Sequence, residues 1–183
     1  MKFEPLPIEG SYLIKPNVLS DSRGWFTRTF CKNELLGAGL DFDAVQMNQS
    51  FNLERGTLRG LHYQRPPYSE QKIVRCIAGS VCDVLVDLRK GSPTFLKPLM
   101  LTLSAVNRDM VFVPRGVAHG FLTLEENTSL IYVHSEYYKP DAEAGIRFTD
   151  PIIGLTLPFK PTVVSDRDVS YPNLDANFTG LEF

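Results

Sequence analysis

The run KIVRCIAGSVCDVLVDLRKG, residues 72–91, decides the fold. Gly79 divides it into two apolar pieces. In the second piece Val81, Asp83, Leu85 and Asp87 alternate with Cys82, Val84, Val86 and Leu88. A period of two across these eight residues is that of a strand. A helix would bring its apolar face round every three or four residues instead. The glycine between the two pieces marks a turn.

Working outward, the same reading holds on both sides. Toward the C-terminus, KPLMLTLS (97–104), DMVFVP (109–114), HGFLTL (119–124) and SLIYVHSEYY (129–138) read as further strands. Toward the N-terminus, GTLRGLHYQ (56–64) and AVQMNQSF (44–51) alternate. WFTRTF (25–30) follows an Asp-Ser-Arg-Gly turn, and SYLIKPNV (11–18) suits an edge or arm strand. KNELLGAG (32–39) is the one helical stretch of the first half, a turn or two stopped by glycine. From residue 139 on, Pro, Asp and Gly accumulate and regularity fades. About nine or ten short strands with little helix make an antiparallel barrel or double-sheet sandwich, whose interior can hold a ligand. No helices of useful length alternate with the strands, which excludes a doubly wound α/β fold.

Composition narrows the partners. The 183 residues carry 19 Lys+Arg against 21 Asp+Glu, a net charge of −2, with 43% hydrophobic and 22% charged residues. That balance fits a single globular domain over 1–183 and gives no charge excess for a nucleic-acid backbone. No stretch approaches the roughly 20 apolar residues of a membrane span. The opening MKFEPLPIEG lacks the basic start and apolar core of a secretion signal. Cys31, Cys76 and Cys82 are odd in number and lack metal-knuckle spacing, which suits a reducing cytoplasm.

The candidates for acid–base chemistry are few: His62, His119 and His134. In GTLRGLHYQ, His62 and Arg59 have opposite parity, so a bend or bulge is needed before both can serve one pocket. His134 shares a strand face with Tyr132 and reads as a rim residue. There is no HExxH, no calcium loop and no glycine-rich phosphate motif. A phosphate would therefore be held by arginines, whose planar fork suits a diphosphate.

One set of blocks is more specific. R-G-T-L-R-G-L-H-Y-Q from Arg55 joins D-S-R-G-W-F at 21–26, D-V-L-V-D-L-R-K-G-S-P-T-F at 83–95 and L-S-A-V-N-R at 103–108. V-P-R-G-V-A-H-G-F at 113–121 and S-D-R-D at 165–168 complete the series. In order, and over roughly residues 10–172, the chain resembles the dTDP-4-dehydrorhamnose 3,5-epimerase family. The resemblance implies an all-β, cupin-like jelly roll with a few short helices. It also implies a homodimer in which the N-terminal arm, residues 1–20, lies at the interface, while 139–183 forms an irregular C-terminal segment. It implies no cofactor and no metal.

By the same resemblance the substrate is a nucleotide-linked 4-keto-6-deoxyhexose, inverted at C3 and C5 on the way to dTDP-L-rhamnose for polysaccharide synthesis. The catalytic base falls on His62, with Asp168 supporting it. The lysine that favours the enolate falls on Lys72, and the acid of the opposite face on Tyr132. Substrate-binding positions fall on Arg23, Phe26, Arg28, Gln46, Asn48 and Arg59. Lys72, His119, Tyr138 and Arg167 complete that set. Two departures stand out: Arg28 occupies an ordinarily acidic position, and M-N-Q-S at 47–50 replaces D-N-H-S. They leave open a CDP-linked or differently deoxygenated sugar, inversion at one carbon, and a 3,4-ketoisomerase. A non-catalytic sugar-nucleotide binder and a metal-dependent cupin are the remaining rivals. No nucleic acid and no membrane partner is expected.

Overall fold

The computed structural model of the chain describes residues 1–182. The run that opened the reading forms β7 (Lys72–Ala78) and β8 (Ser80–Asp87), with Gly79 at φ +71° between them. They do not pair with each other. β7 lies in a six-stranded sheet and β8 in the sheet that faces it.

The first sheet runs β1 (Lys2–Pro5), β2 (Tyr12–Lys15), β10 (Met110–Val113), β7, β12 (Thr128–His134), β5 (Gln46–Asn52). The second runs β13 (Glu143–Gly145), β6 (Thr57–Gln64), β11 (Val117–Thr123), β8, β9 (Pro98–Ser104). All of these neighbours are antiparallel, and β14 (Val163–Val164) adds to β6 in parallel. A separate two-stranded hairpin, β3 (Val18–Asp21) and β4 (Gly24–Thr27), stands apart. Two short helices, α1 (Lys32–Gly37) and α2 (Asp166–Ser170), complete the elements. This is the antiparallel double-sheet architecture that the strand pattern implied, and the jelly roll that the resemblance implied.

The alternation in β8 has a physical outcome on both faces. Val81 and Leu85 turn inward and pack with Val74, Val111, Phe121 and Leu130 from both sheets. Cys82, Val84, Val86 and Leu88 turn outward, yet they too are buried. The irregular C-terminal segment covers them, laying Ile153, Leu157, Phe178 and Leu181 over the outer face of the second sheet. α1 does the same for the first sheet, where Leu35 and Phe42 cover Ile73, Met110 and Val133. The region after residue 139 thus acts as a cover, and its few regular elements (β13, β14 and α2) were not expected from the sequence. β1 lies in the N-terminal arm, where Lys2–Pro5 pairs with Lys15–Tyr12 at the sheet edge.

The bulge demanded by the parity of Arg59 and His62 is present. His62 sits opposite His119 and Arg59 opposite Phe121, so three steps along β6 match two along β11. Gly60 lies at φ +125°, where a side chain is strained, and an added Cβ would come within 2.5 Å of the Gly120 Cα. Only two glycines let the strands approach this closely. With the bulge, Leu58 and Leu61 both face the outer cluster, while Arg59 and His62 both line the cavity between the sheets.

Leu85 is fully buried at the centre of the inner core. Leu85→Ala should destabilise the fold by about 2–5 kcal/mol through lost burial and the cavity left behind. Urea denaturation of the variant against the parent measures this.

Candidate active site

The cavity between the sheets has a volume of about 640 Å³. The second sheet contributes His62 and Arg59 from β6 and His119 from β11. The first sheet contributes Lys72 from β7, Tyr132 and His134 from β12, and Gln46, Asn48 and Ser50 from β5. The two groups thus line the cavity from opposing sheets.

On one wall, His62 Nε2 lies 2.6 Å from Asp168 Oδ1. The other oxygen, Oδ2, accepts the N–H of Gly60 at 3.2 Å. Asp168 is placed by Ser165, whose hydroxyl caps α2 by accepting the Asp168 N–H at 3.1 Å. Burial would raise the Asp168 carboxyl, but the bond to His62, its charge and the Gly60 amide hold it below the usual carboxylate range. An ionised carboxylate can only accept, so His62 donates from Nε2 and keeps Nδ1 free to take a proton. Arg167 Nη2 approaches the same nitrogen at 3.5 Å and its Nη1 donates to Glu143 at 2.9 Å, while the Tyr138 hydroxyl donates to Glu143 at 2.8 Å.

Deeper, His119 Nε2 pairs with Asp83 Oδ1 at 2.8 Å, both side chains being buried. Asp83 is the polar residue of the inner face of β8, between Val81 and Leu85. A buried aspartate in an apolar strand requires a partner, and that was the signal for it.

On the opposing wall, the Tyr132 hydroxyl lies 2.9 Å from Ser50 Oγ, and burial raises its pKa. Lys72 is buried and donates to Glu70 Oε1 at 2.7 Å. His134 Nδ1 meets the other oxygen of the same carboxylate, also at 2.7 Å. Burial would lift the Glu70 carboxyl, yet the Lys72 charge and His134 hold it down at about 2. Arg59 Nε donates to Asn52 Oδ1 at 2.7 Å.

The cavity therefore gathers His62, Asp168, Lys72, Tyr132, Gln46, Asn48, Arg59, His119, Tyr138 and Arg167. It does not gather Arg23, Phe26 and Arg28. These three are exposed, on or just after the β3–β4 hairpin; Arg23 pairs with Asp21 and Arg28 with Glu34. His134, expected at the rim, is a buried part of the wall. Sequence reasoning missed Glu70, Ser50, Glu143 and Ser165. Ser-x-x-Asp at 165–168 has the form of a helix cap and could have located α2. Among the described residues, no three His, Cys, Asp or Glu side chains gather into a metal-holding group.

A jelly roll whose open cavity sets a carboxylate–imidazole pair against a lysine and a tyrosine belongs to the cupin-like proteins, with a site equipped for proton transfer. The comparisons give the family. The family model described as dTDP-4-dehydrorhamnose 3,5-epimerase matches residues 5–176. The chain belongs to the dTDP-4-dehydrorhamnose 3,5-epimerase family. It is 39% identical over 175 residues to the dTDP-4-dehydrorhamnose 3,5-epimerase of Sinorhizobium fredii, covering 95% of this chain and 90% of that one. The dTDP-4-dehydrorhamnose 3,5-epimerase of Bacillus anthracis, crystallised with TDP and pyrophosphate bound, superposes with a TM-score of 0.92 at 37% identity, covering 94% of this chain and 99% of that one. A Legionella pneumophila dTDP-6-deoxy-D-glucose-3,5-epimerase in complex with dTDP-4-keto-L-rhamnose gives 0.91 at 32% identity, covering 100% and 98%.

Glu70 and Asp168 have depressed carboxyl pKa values in the folded state. Their stabilising contribution is complete above the unfolded values of about 4 and is lost as pH falls through the folded ones. Below about pH 4.5 the parent should therefore lose stability more steeply than a Glu70→Gln variant. Denaturant melts at a series of acidic pH values check this.

Proposed function

We propose that the chain inverts C3 and C5 of dTDP-4-dehydro-6-deoxy-D-glucose, giving dTDP-4-dehydro-L-rhamnose by proton transfers alone. The observation that carries the reading is the His62–Asp168 pair on one wall of the cavity and Lys72 with Tyr132 on the facing one, in a chain of this family. A hydrogen on a carbon beside a ketone is acidic because the charge left behind moves onto the carbonyl oxygen. His62 Nδ1 takes that proton, and Asp168 stabilises the imidazolium that forms. Lys72 faces the C4 oxygen and stabilises the enolate. Tyr132 returns a proton from the opposite side, which inverts the carbon. Once His62 has given its proton to water and Tyr132 has regained one, the same cycle at the second carbon completes the reaction.

Arg59, Arg167, Gln46, Asn48, His119 and Tyr138 hold the nucleotide sugar in this reading. Arg23, Phe26 and Arg28 reach a site through a second copy of the chain. Leu19, Trp25 and Phe26 are exposed on the hairpin that follows the N-terminal arm, and Met47 and Phe51 are exposed on β5. Single apolar side chains at a surface are common, but a projecting hairpin that carries three of them suits a homodimer interface. The free cysteines Cys31, Cys76 and Cys82 fit a reducing cytoplasm. No helix among the described residues is long and apolar enough to cross a membrane.

Incubation with dTDP-4-keto-6-deoxyglucose in heavy water tests the reaction. Deuterium should appear at both C3 and C5. Incorporation at one carbon alone would make the protein a single-site epimerase, and none at either would defeat the reading. His62→Ala should slow exchange by about 10²- to 10⁴-fold or more while leaving dTDP affinity nearly unchanged. For the dimer, Phe26→Asp should shift the protein toward monomer in sedimentation velocity and raise KM for the substrate; a monomeric parent would overturn that arrangement.

A further inference from the structure

One titratable cluster of the cavity has no part in the proton transfers just described. β7 and β12 place Lys72 directly opposite His134, and β12 and β5 place His134 opposite Gln46. All three side chains face the cavity. Two cationic side chains facing each other across a strand pair repel. Here a carboxylate lies between them: Glu70 gives one oxygen to Lys72 and the other to His134, each at 2.7 Å.

Glu70 is held in place from its own loop. The Gln71 N–H donates to Ser135 Oγ at 2.8 Å and the Ser135 N–H to the Gln71 carbonyl at 3.0 Å, tying the residues beside Glu70 and His134 together. The row continues past the imidazole. Asn48 Nδ2 donates to His134 Nε2 at 3.3 Å, Gln46 Nε2 to Asn48 Oδ1 at 3.4 Å, and the Tyr138 N–H to Gln46 Oε1 at 3.2 Å. A half-turn of the Asn48 amide would present Oδ1 to a proton on Nε2, at the cost of the weak bond from Gln46 Nε2, whose own amide is fixed by the Tyr138 N–H.

This arrangement poses an electrostatic problem for the proposed chemistry. Lys72 is asked to favour negative charge on the C4 oxygen, but a full carboxylate already sits against its ammonium. The carboxylate 2.7 Å from the ammonium offsets part of the attraction that Lys72 offers a third charge. With His134 protonated the cluster is Lys⁺–Glu⁻–His⁺ and regains one positive charge. The same imidazolium stands beside Tyr132, with ring centroids 6.2 Å apart. There it would stabilise the phenolate left when that buried hydroxyl gives up its proton.

Resting on the proposed reaction, we infer that His134, oriented by Glu70, is the positioning residue that restores the positive charge of the Lys72 wall, and that its protonated form is the working one. Other charges face it across the cavity: His62 and Arg59 from β6, His119 from β11, and Glu143 with its partner Arg167. They belong to the opposing sheet and its flanking elements, and among the described residues none forms an ion pair with Glu70 or Lys72. The pH sign is fixed by this assignment. Activity falls as pH rises through the point at which His134 loses its proton, opposite to the rise expected when His62 becomes free to act as base.

The test follows deuterium exchange at C3 and C5 as kcat against pH for the parent, His134→Gln, Glu70→Gln and the double variant. The pH at which each imidazole titrates is read by NMR, with the His134 signal identified by its loss from His134→Gln. The parent should show an alkaline fall in kcat that coincides with the His134 titration. His134→Gln should lose that fall and run about 10- to 100-fold slower, with KM little changed. Adding Glu70→Gln to it should recover most of the loss, because Lys72 is then unscreened. A purely structural role for the pair predicts the reverse, a double variant at least as slow as the single one. That result, or a kcat profile indifferent to the His134 titration, would overturn the inference. Failure of the parent to exchange deuterium at all would instead remove the proposed reaction, and this role with it.

Discussion

The contact on which the site depends is that between Asp168 and the bulge of β6. One carboxylate joins His62 Nε2 and the Gly60 N–H, and so ties a side chain and a backbone kink to the same anchor. The bulge brings Arg59 and His62 to one face, and a bulge leaves an amide outside the regular strand ladder. A buried amide without an acceptor costs about 1–3 kcal/mol. Asp168 satisfies it with the oxygen that His62 does not use. The bulged geometry and the orientation of His62 are therefore parts of one arrangement.

The same coupling explains why the C-terminal segment is shaped as it is. Asp168 comes from a helix of five residues that could not persist alone. It is held by the Ser165 cap, by β14 pairing with β6, and by the apolar cover that Ile153, Leu157 and Phe178 form over β8 and β11. An irregular chain delivers a precisely placed carboxylate because its apolar residues are fixed by the sheet below. The cover that completes the fold also completes the site.

Much of this was legible in the sequence, and the rest was hidden for identifiable reasons. The strands from β7 to β12 announce themselves because each has a face against the inner core, whereas β6 turns Leu58 and Leu61 to the outer cluster. The opposed parity of Arg59 and His62 required the bulge that is found. β13, β14 and α2 have two to five residues each, too few for any periodicity to register. Their positions depend on long-range packing. Glu70 was hidden in a Pro-Pro loop where a charge looks solvated, and only the pairing of β7 with β12 brings it to His134. Arg23, Phe26 and Arg28 illustrate the converse. A linear motif fixes their identity, but a single chain leaves them on a projecting hairpin away from the cavity.

The polar interior has an energetic consequence for the whole domain. Lys72, Glu70, His134, His119, Asp83 and Asp168 withdraw charge or polarity from water, and buried ion pairs seldom stabilise a fold relative to apolar packing of the same volume. The inner core gives up apolar volume on its open side to hold them. Stability must then come from elsewhere, and three apolar layers rather than one are present. The inner cluster is flanked by α1 with Phe42 over the first sheet and by the C-terminal cover over the second. A two-layer sandwich with wet outer faces would depend on the very core that the site interrupts. With both outer faces covered, the sheets hold their spacing around a polar cavity, and the groups on opposing walls keep their separation.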